Sequence, residues 1–357
     1  MKKTLLWLLI ALLSMSMIAL TFAGCEKEPE VVEKIVEKEV VKEVEVEAEG
    51  KEPITLVFST ASVPNDAHTQ ALFEFERELE QSSGYQVQVE IYHSSSLFTQ
   101  TDEPTACIDG NLDMFYAAAP WLAEFMDVMS MFTAGYLYKS YDHMTSVLNG
   151  DIGKALFEQA AAEVGVRPLG AYYLGSRQIN LREKKDVQTP ADLAGVKMRM
   201  PDSPSWLFLG EALGADPTPL AFSELYLALQ TGTVDGQDNP MPTVKNAKFY
   251  EVTETISLTY HVIGSVWPAI NEAKWQSLGA DLQADVLAAV EAGRKVCDDT
   301  NIAAEAELVS FFEGEGMLVV NPDIDAFSSQ VQDAYLNSDF SATWDMDLFD
   351  EVQAMAK

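Results

Sequence analysis

Residues 196–240 read VKMRMPDSPSWLFLGEALGADPTPLAFSELYLALQTGTVDGQDNP, and no other stretch constrains the fold as tightly. A short strand-like run at 196–200 carries Arg199 and stops at Pro201, which has no N–H to give a sheet. A helix is expected around 204–213, a turn region at 214–219 (Gly-Ala-Asp-Pro-Thr-Pro), and a second helix over 221–230. Ser223 leads that second helix and Glu224 sits in its first turn, where a carboxylate offsets the helix dipole. The stretch closes on Asp235-Gly236-Gln237-Asp238-Asn239-Pro240, read as a loop fixed by Gly and Pro. A cation at a strand end, opposite an amide in such a loop, suits a small anion. Arginine meets a carboxylate with two parallel hydrogen bonds, and the Asn239 amide then holds one oxygen in register.

The runs KMRMP and LGADPTPLAFSELYLALQTGTVDGQDNP resemble the signature of the DctP-type extracytoplasmic solute-binding proteins of TRAP transporters. The resemblance extends from about residue 54 to about residue 335. Such proteins capture small organic acids for a sodium-coupled membrane permease, so the resemblance implies a receptor in the periplasm or on the outer face of the cytoplasmic membrane, and not an enzyme. The implied fold is α/β: a two-lobed, periplasmic-binding-protein-like architecture with hinge-crossing strands and a long interlobe helix. Carried over by residue, Arg199 in Lys197-Met198-Arg199 matches the arginine that grips the ligand carboxylate with two prongs. Arg177 in GSRQ matches a second arginine that adds charge nearby, with Arg182 as its rival, and Asn239 matches the amide that braces one carboxylate oxygen. Phe222 stands where the family has an aromatic or apolar residue over the ligand; Trp206 and Asp202 are candidates for the same cleft. Pro64 and His68 fit the family's Pro and His ahead of the first helix, whereas Ser96-Leu97-Phe98 stands where Gln-Leu-Gly is usual. A buried arginine needs a partner. For Arg177 and Arg199 the alternative to a ligand is an internal Asp or Glu. A lipid-anchored sensor or scaffold on the same fold is the alternative function.

The chain has 357 residues, enough for two compact lobes, and a net charge of −33. That balance excludes a nucleic-acid partner, whose phosphates demand a basic footprint. It also excludes a face held to anionic lipid by basic residues. The four histidines (68, 93, 143, 261) are dispersed, with no HExxH pair, and no GxSxG, GxGxxG or phosphate loop occurs. No metal, cofactor or catalytic constellation is expected. Cys107 with His261 as nucleophile and base has no local support, and Asp238 or Glu224 is a candidate for a cation beside the ligand. Cys107 and Cys297 form no CxxC pair and are read as two buried free thiols rather than a disulfide. Tyr226 is open between core and site.

Lys2 and Lys3, an apolar run at 4–22, and Ala23-Gly24 before Cys25 read as a secretory signal at 1–24. The cysteine resembles that of a bacterial lipobox, which implies lipidation of Cys25 and a membrane held through the N-terminal lipid; an uncleaved anchor is the alternative. Residues 25–52, with VVEKIVEKEVVKEVEVE at their heart, read as a charge-stretched tether, or else a short coiled coil. The body, 53–357, is expected to divide into lobe I at roughly 53–170 and lobe II at roughly 171–265, each completed by part of the C-terminal region. It opens with a strand at 54–59, an amphipathic helix at 67–81 and a strand at 85–92, the start of a parallel sheet. A buried strand at 112–118 leads to Trp121, which either walls a site at the carboxyl ends of the strands or packs as core. The Met- and aromatic-rich run 125–138 reads as core and interlobe packing. Helix is expected over 142–164, strand over 167–173, a strand crossing between lobes over 259–270, and a long helix over 280–312. A last strand at 316–320, a helix at 324–335 and an acidic, aromatic tail at 337–357 complete the chain.

Overall fold

A computed structural model describes residues 52–356; the expected signal, Cys25 and the tether up to residue 51 lie outside them. β1 (Ile54–Ser59), α1 (Ala67–Ser82) and β2 (Val87–Tyr92) form the expected parallel unit, with Ile54 opposite Val87 and Ser59 opposite Tyr92. Leu72, Phe75 and Leu79 supply the buried stripe of α1. After α2 (Glu103–Ile108), β3 (Met114–Ala117) is buried at all four positions, which suits a strand covered on both faces. The short helix α3 (Ala119–Leu122) and a 3-10 turn over Asp127–Thr133 follow, burying Met129, Met131 and Phe132.

Two helices replace the single one expected over 142–164: α4 (Tyr141–Leu148) and α5 (Asp151–Val164). The chain turns at Asn149-Gly150, and a Cβ on Gly150 would lie 2.2 Å from the Ser146 carbonyl oxygen, so the close turn requires glycine. β4 (Val166–Pro168) and β5 (Tyr172–Leu181) follow, the second running well past the strand end expected at 173.

β6 (Lys197–Met200) and α6 (Pro204–Ala212) match expectation, but the next two segments do not. The turn region holds a strand, β7 (Asp216–Pro219), parallel to β6 at the end of the sheet, where Pro217 and Pro219 cost no ladder bonds. A 3-10 turn (Phe222–Glu224) and α7 (Leu225–Thr231) come next. The supposed loop at 235–240 is β8 (Gly236–Pro240), buried at all five positions, antiparallel to β5 and parallel to β6. Its polar side chains are tolerated because each finds a hydrogen-bond partner, as set out below. α8 (Met241–Asn246), β9 (Thr255–Asn271), α9 (Glu272–Leu278), α10 (Ala280–Gly314), β10 (Leu318–Val320), α11 (Ile324–Leu336) and α12 (Met346–Ala354) complete the order.

The sheet runs β2-β1-β3-β9-β5-β8-β6-β7, with β10 and β4 also on β9. β9 is 17 residues long, and its two ends serve different halves of the sheet. Residues 255–257 pair with β10 and with β5, whereas Trp267–Ile270 pair with β3. α10, 35 residues and about 50 Å long, crosses both halves. Val286, Val290 and Cys297 pack with Leu56, Phe58 and Phe75 of the first half; Leu308 and Phe312 pack with Leu225, Val244 and Ile256 of the second. The fold is thus the two-lobed α/β architecture, with β9 as the crossing strand and α10 as the long helix. The tail caps it: Trp344 stacks on Tyr335 and donates its Nε1 hydrogen to Ser130 Oγ at 3.0 Å. Cys107 and Cys297 are both free and buried. No helix of the described residues is long and apolar enough to cross a membrane.

Candidate functional site

β5, β6 and β8 deliver Arg177, Arg199 and Asn239 to one cavity of about 110 Å³, walled also by the middle of β9 from Val262 to Trp267. Backbone shape directs Arg177 there. β5 bulges between Tyr173 and Gly175, and Gly175 holds φ +114°, a region that excludes ordinary side chains. A Cβ at Gly175 would sit 2.8 Å from Pro240 Cβ and 3.1 Å from Glu305 Oε1. Glu305, on α10, pins the bulge by accepting from Ser176 N and Tyr173 OH, each at 2.6 Å.

Arg177 turns out to have an internal acid partner. Its Nε donates to Asp238 Oδ2 at 2.6 Å, and its Nη2 donates to Asp238 Oδ1 and O at 3.1 and 2.7 Å. His261 Nε2 reaches the same Oδ2 at 3.1 Å, while its Nδ1 lies 2.8 Å from Thr259 Oγ1. Burial alone would raise the Asp238 carboxyl, but the Arg177 charge and the hydrogen bonds from His261 and Arg177 outweigh it and hold the group well below the ordinary carboxylate range. Burial lowers His261, with Asp238 offsetting only part of the effect, so the imidazole is neutral; Nε2 carries the proton toward an acceptor-only carboxylate, and Nδ1 accepts from Thr259. Of the two readings of Arg177, the structure shows the internal acid partner: Asp238 neutralises its charge. The guanidinium also lies over the Trp206 ring, 4.4 Å from its centroid.

Arg199 is different. It is 1% exposed, donates through Nε to Leu220 O at 2.8 Å, and leaves Nη2 buried with no partner among the described residues. Burial pushes its guanidinium down to about 9, with Asp238 opposing that shift and Arg177 adding to it. A buried cation without a counter-ion is costly unless something else supplies one. Asn239, beside it in the cavity wall, is oriented by a chain of amides. Asn180 Nδ2 donates to Thr255 O at 2.8 Å, Gln237 Nε2 donates to Asn180 Oδ1 at 3.1 Å, and Asn239 Nδ2 donates to Gln237 Oε1 at 2.6 Å. Because the Thr255 carbonyl can only accept, each amide in the chain is fixed in direction, and Asn239 Nδ2 keeps a second hydrogen to give.

The other predicted residues divide. Phe222, Trp121, Trp206 and His68 all line the cavity with Arg177, Arg199 and Asn239. Ser203 caps α6 and accepts from Trp206 N, which sets that indole in place; the indole Nε1 is buried without a partner among the described residues. Trp121 is both wall and core, packed in the cluster that holds Met126 and Phe132. Burial takes His68 down to about 4, so it is neutral. Asp202 is not in the cavity: it is exposed on the far side of Pro201, beside Glu124 and Phe125. Arg182 pairs with Glu183 at 3.0 Å away from the cavity, and Tyr226 bonds Glu251 at 3.0 Å, also outside it. Of the two candidates for a cation, Asp238 is taken by Arg177 and His261, and Glu224 is exposed outside the cavity. Among the described residues no group of three His, Cys, Asp or Glu side chains is placed to hold a metal ion.

Sequence reasoning missed two acids in the wall, Asp66 and Glu103. Asp66 precedes α1 and bonds across the two halves of the protein: its Oδ1 accepts from Asn246 Nδ2 and its Oδ2 from Val63 N, each at 3.1 Å. Burial lifts its carboxyl to about 7, the two hydrogen bonds opposing the shift. A carboxyl raised on folding contributes stability that is full below the ordinary carboxylate value near 4 and lost as pH rises through about 7. Asp66→Asn, with Asn246 free to flip its amide, is expected to remove that loss. Urea unfolding at pH 5 and pH 8 should show wild type losing on the order of a few kcal/mol that the variant keeps. An equal pH dependence in both would show that Asp66 ionises normally.

Comparison with known proteins shows the family and the fold. The family model for bacterial extracellular solute-binding protein, family 7 (DctP), matches residues 58–340. A TRAP periplasmic solute-binding protein from Roseobacter denitrificans, solved with bound 3-deoxy-D-manno-oct-2-ulosonic acid, is 41% identical, with a TM-score of 0.82 over 85% of this chain and 100% of that one. A second from Roseobacter denitrificans, solved with L-galactonate, is 29% identical, with a TM-score of 0.78 over 86% of this chain and 99% of that one. The sialic acid-binding periplasmic protein SiaP of Vibrio cholerae is 33% identical over 264 residues, 73% of this chain and 81% of its own. These relatives are periplasmic receptors, and the family implies a TRAP permease as partner. The chain belongs to the DctP family of bacterial extracellular solute-binding proteins that serve TRAP transporters.

Proposed function

We propose that the protein binds a sugar acid in its interlobe cavity and hands it to a TRAP permease. The observation that carries this is Arg199: a buried guanidinium in the wall of a cavity, with Nη2 unpartnered among the described residues. A ligand carboxylate supplies the missing counter-ion, and Arg199 clamps it while the second Nδ2 hydrogen of Asn239 braces one oxygen. Phe222, Trp121 and Trp206 give apolar faces to the carbon skeleton, and His68 meets it from the first lobe. Arg177 acts by holding Trp206 and Asp238 rather than as a free charge. The relatives solved with an octulosonic acid and with galactonate support a hydroxylated acid over a plain one.

Closure of the lobes follows from ligand binding, since only the closed form brings both walls to the ligand. We place the lobes at roughly 53–170 and 171–265, each completed by C-terminal segments. No turnover is part of the proposal, so the ligand is expected back unchanged after incubation. We further propose that Cys25 is lipidated and holds the receptor to the outer face of the membrane. The mass of the mature N-terminal peptide tests this, an unmodified Cys25 refuting it. For the receptor itself the test is thermal melting against a panel of organic acids. A ligand at a hundred times its dissociation constant stabilises the fold by about 2.7 kcal/mol. No shift with any acid, after unfolding and refolding to strip carried-over ligand, would refute binding.

A further inference from the structure

We propose that Glu103 reads a hydroxyl of the ligand, and that through it the cleft selects acids with one carboxylate and a hydroxylated tail over acids with two carboxylates. This deepens the receptor reading above and rests on it. The two walls of the cavity differ in charge. Arg177 and Arg199 are the only cations among the described residues that line it, and Asp238 already neutralises Arg177. One free cation is left, enough for one carboxylate.

The opposite wall is acidic and hydroxylated. It presents Asp66, Glu103, neutral His68, Thr60 and Ser62. Both oxygens of Asp66 are taken, by Asn246 and Val63. Glu103 is 2% exposed, and its Oε1 accepts from Ser59 Oγ at 2.8 Å. Among the described residues its Oε2 has no hydrogen bond and its carboxyl has no cationic partner. Burial holds that carboxyl well above its ordinary range. Glu103 lines the cavity, so a ligand that excludes water there must itself give Oε2 a hydrogen bond. A hydroxyl both donates and accepts, and so satisfies Glu103 in either protonation state. A second carboxylate only accepts. It would put a negative charge into a desolvated wall that holds two acids and no cation to pair it.

Isothermal titration of the purified protein at neutral pH with galactonate, 3-deoxy-D-manno-oct-2-ulosonic acid and galactarate tests this. Galactarate differs from galactonate in carrying a carboxylate where galactonate has its terminal hydroxymethyl. The tighter of the two monoacids should bind wild type about tenfold or more better than galactarate does. Glu103→Met, which can make no such hydrogen bond, should weaken the monoacid by about tenfold and narrow its advantage over galactarate. Equal binding of monoacid and diacid by wild type overturns the inference, and so does a Glu103→Met protein that melts like wild type and keeps the wild-type ratio. Failure to bind either monoacid overturns it as well; if another acid of the melting panel still stabilises that same protein, the receptor reading survives. The wild-type ratio decides the matter even if the variant does not fold.

Discussion

Arg199→Met is expected to abolish acid binding while leaving the empty protein as stable as wild type, or more so. The thioether keeps much of the apolar stem and removes the charge. Loss of one partner from a buried charge pair costs about 2–5 kcal/mol, a fall in affinity of roughly thirty-fold to several thousand-fold. Without ligand the sign reverses. Arg199 Nη2 has no partner among the described residues, so wild type carries an uncompensated buried cation that the variant lacks. Titration calorimetry and melting of the empty protein, taken together, separate this from simple damage: damage lowers both affinity and stability. A variant with wild-type affinity would show that the carboxylate sits elsewhere.

Asp238→Ala should have the opposite profile, with stability suffering first. It strands Arg177, which is 4% exposed, and removes the acceptor of His261, which is 0% exposed. Breaking such a buried pair from one side costs about 3–5 kcal/mol, measurable as a lower urea midpoint at unchanged slope. The pH dependence follows from the direction of the shift. Asp238 is held below the ordinary carboxylate range, so its contribution is present above pH about 4 and lost as pH falls toward its folded value. The deficit of the variant relative to wild type should therefore shrink in acid. A deficit independent of pH would mean that packing, not charge, is what Asp238 supplies.

The residues that local pattern could reveal were those whose role is written in neighbouring sequence. Arg199 between Met198 and Met200, and Asn239 before Pro240, are legible because their runs resemble the DctP signature, which implies their roles. The helix stripes of α1 and α10 and the alternation in β2 were equally legible, being periodic over many residues. β8 was not. Gly236, Asp238, Asn239 and Pro240 carry turn chemistry, and only the partners on β5, β6 and β9 make a buried strand of them. The neutralisation of Arg177 depends on a residue 61 positions away, and the bond of Asp66 on one 180 positions away. Glu103 looks like an ordinary acid at a helix start until α2 is folded against β1 and the cavity closes around it. Asp202 failed for the converse reason: nearness in sequence to Arg199 placed it past Pro201, where the chain has already left the cavity.

The most direct measurement is a crystal structure of the protein with the sugar acid that gives the largest melting shift. The account predicts a ligand carboxylate oxygen within hydrogen-bond distance of Arg199 Nη2 and a second contact from Asn239 Nδ2. It also predicts that the Arg177–Asp238 pair stays intact and that a ligand hydroxyl lies on Glu103. A carboxylate bound anywhere else, with Arg199 Nη2 still unpaired beneath it, would contradict the account.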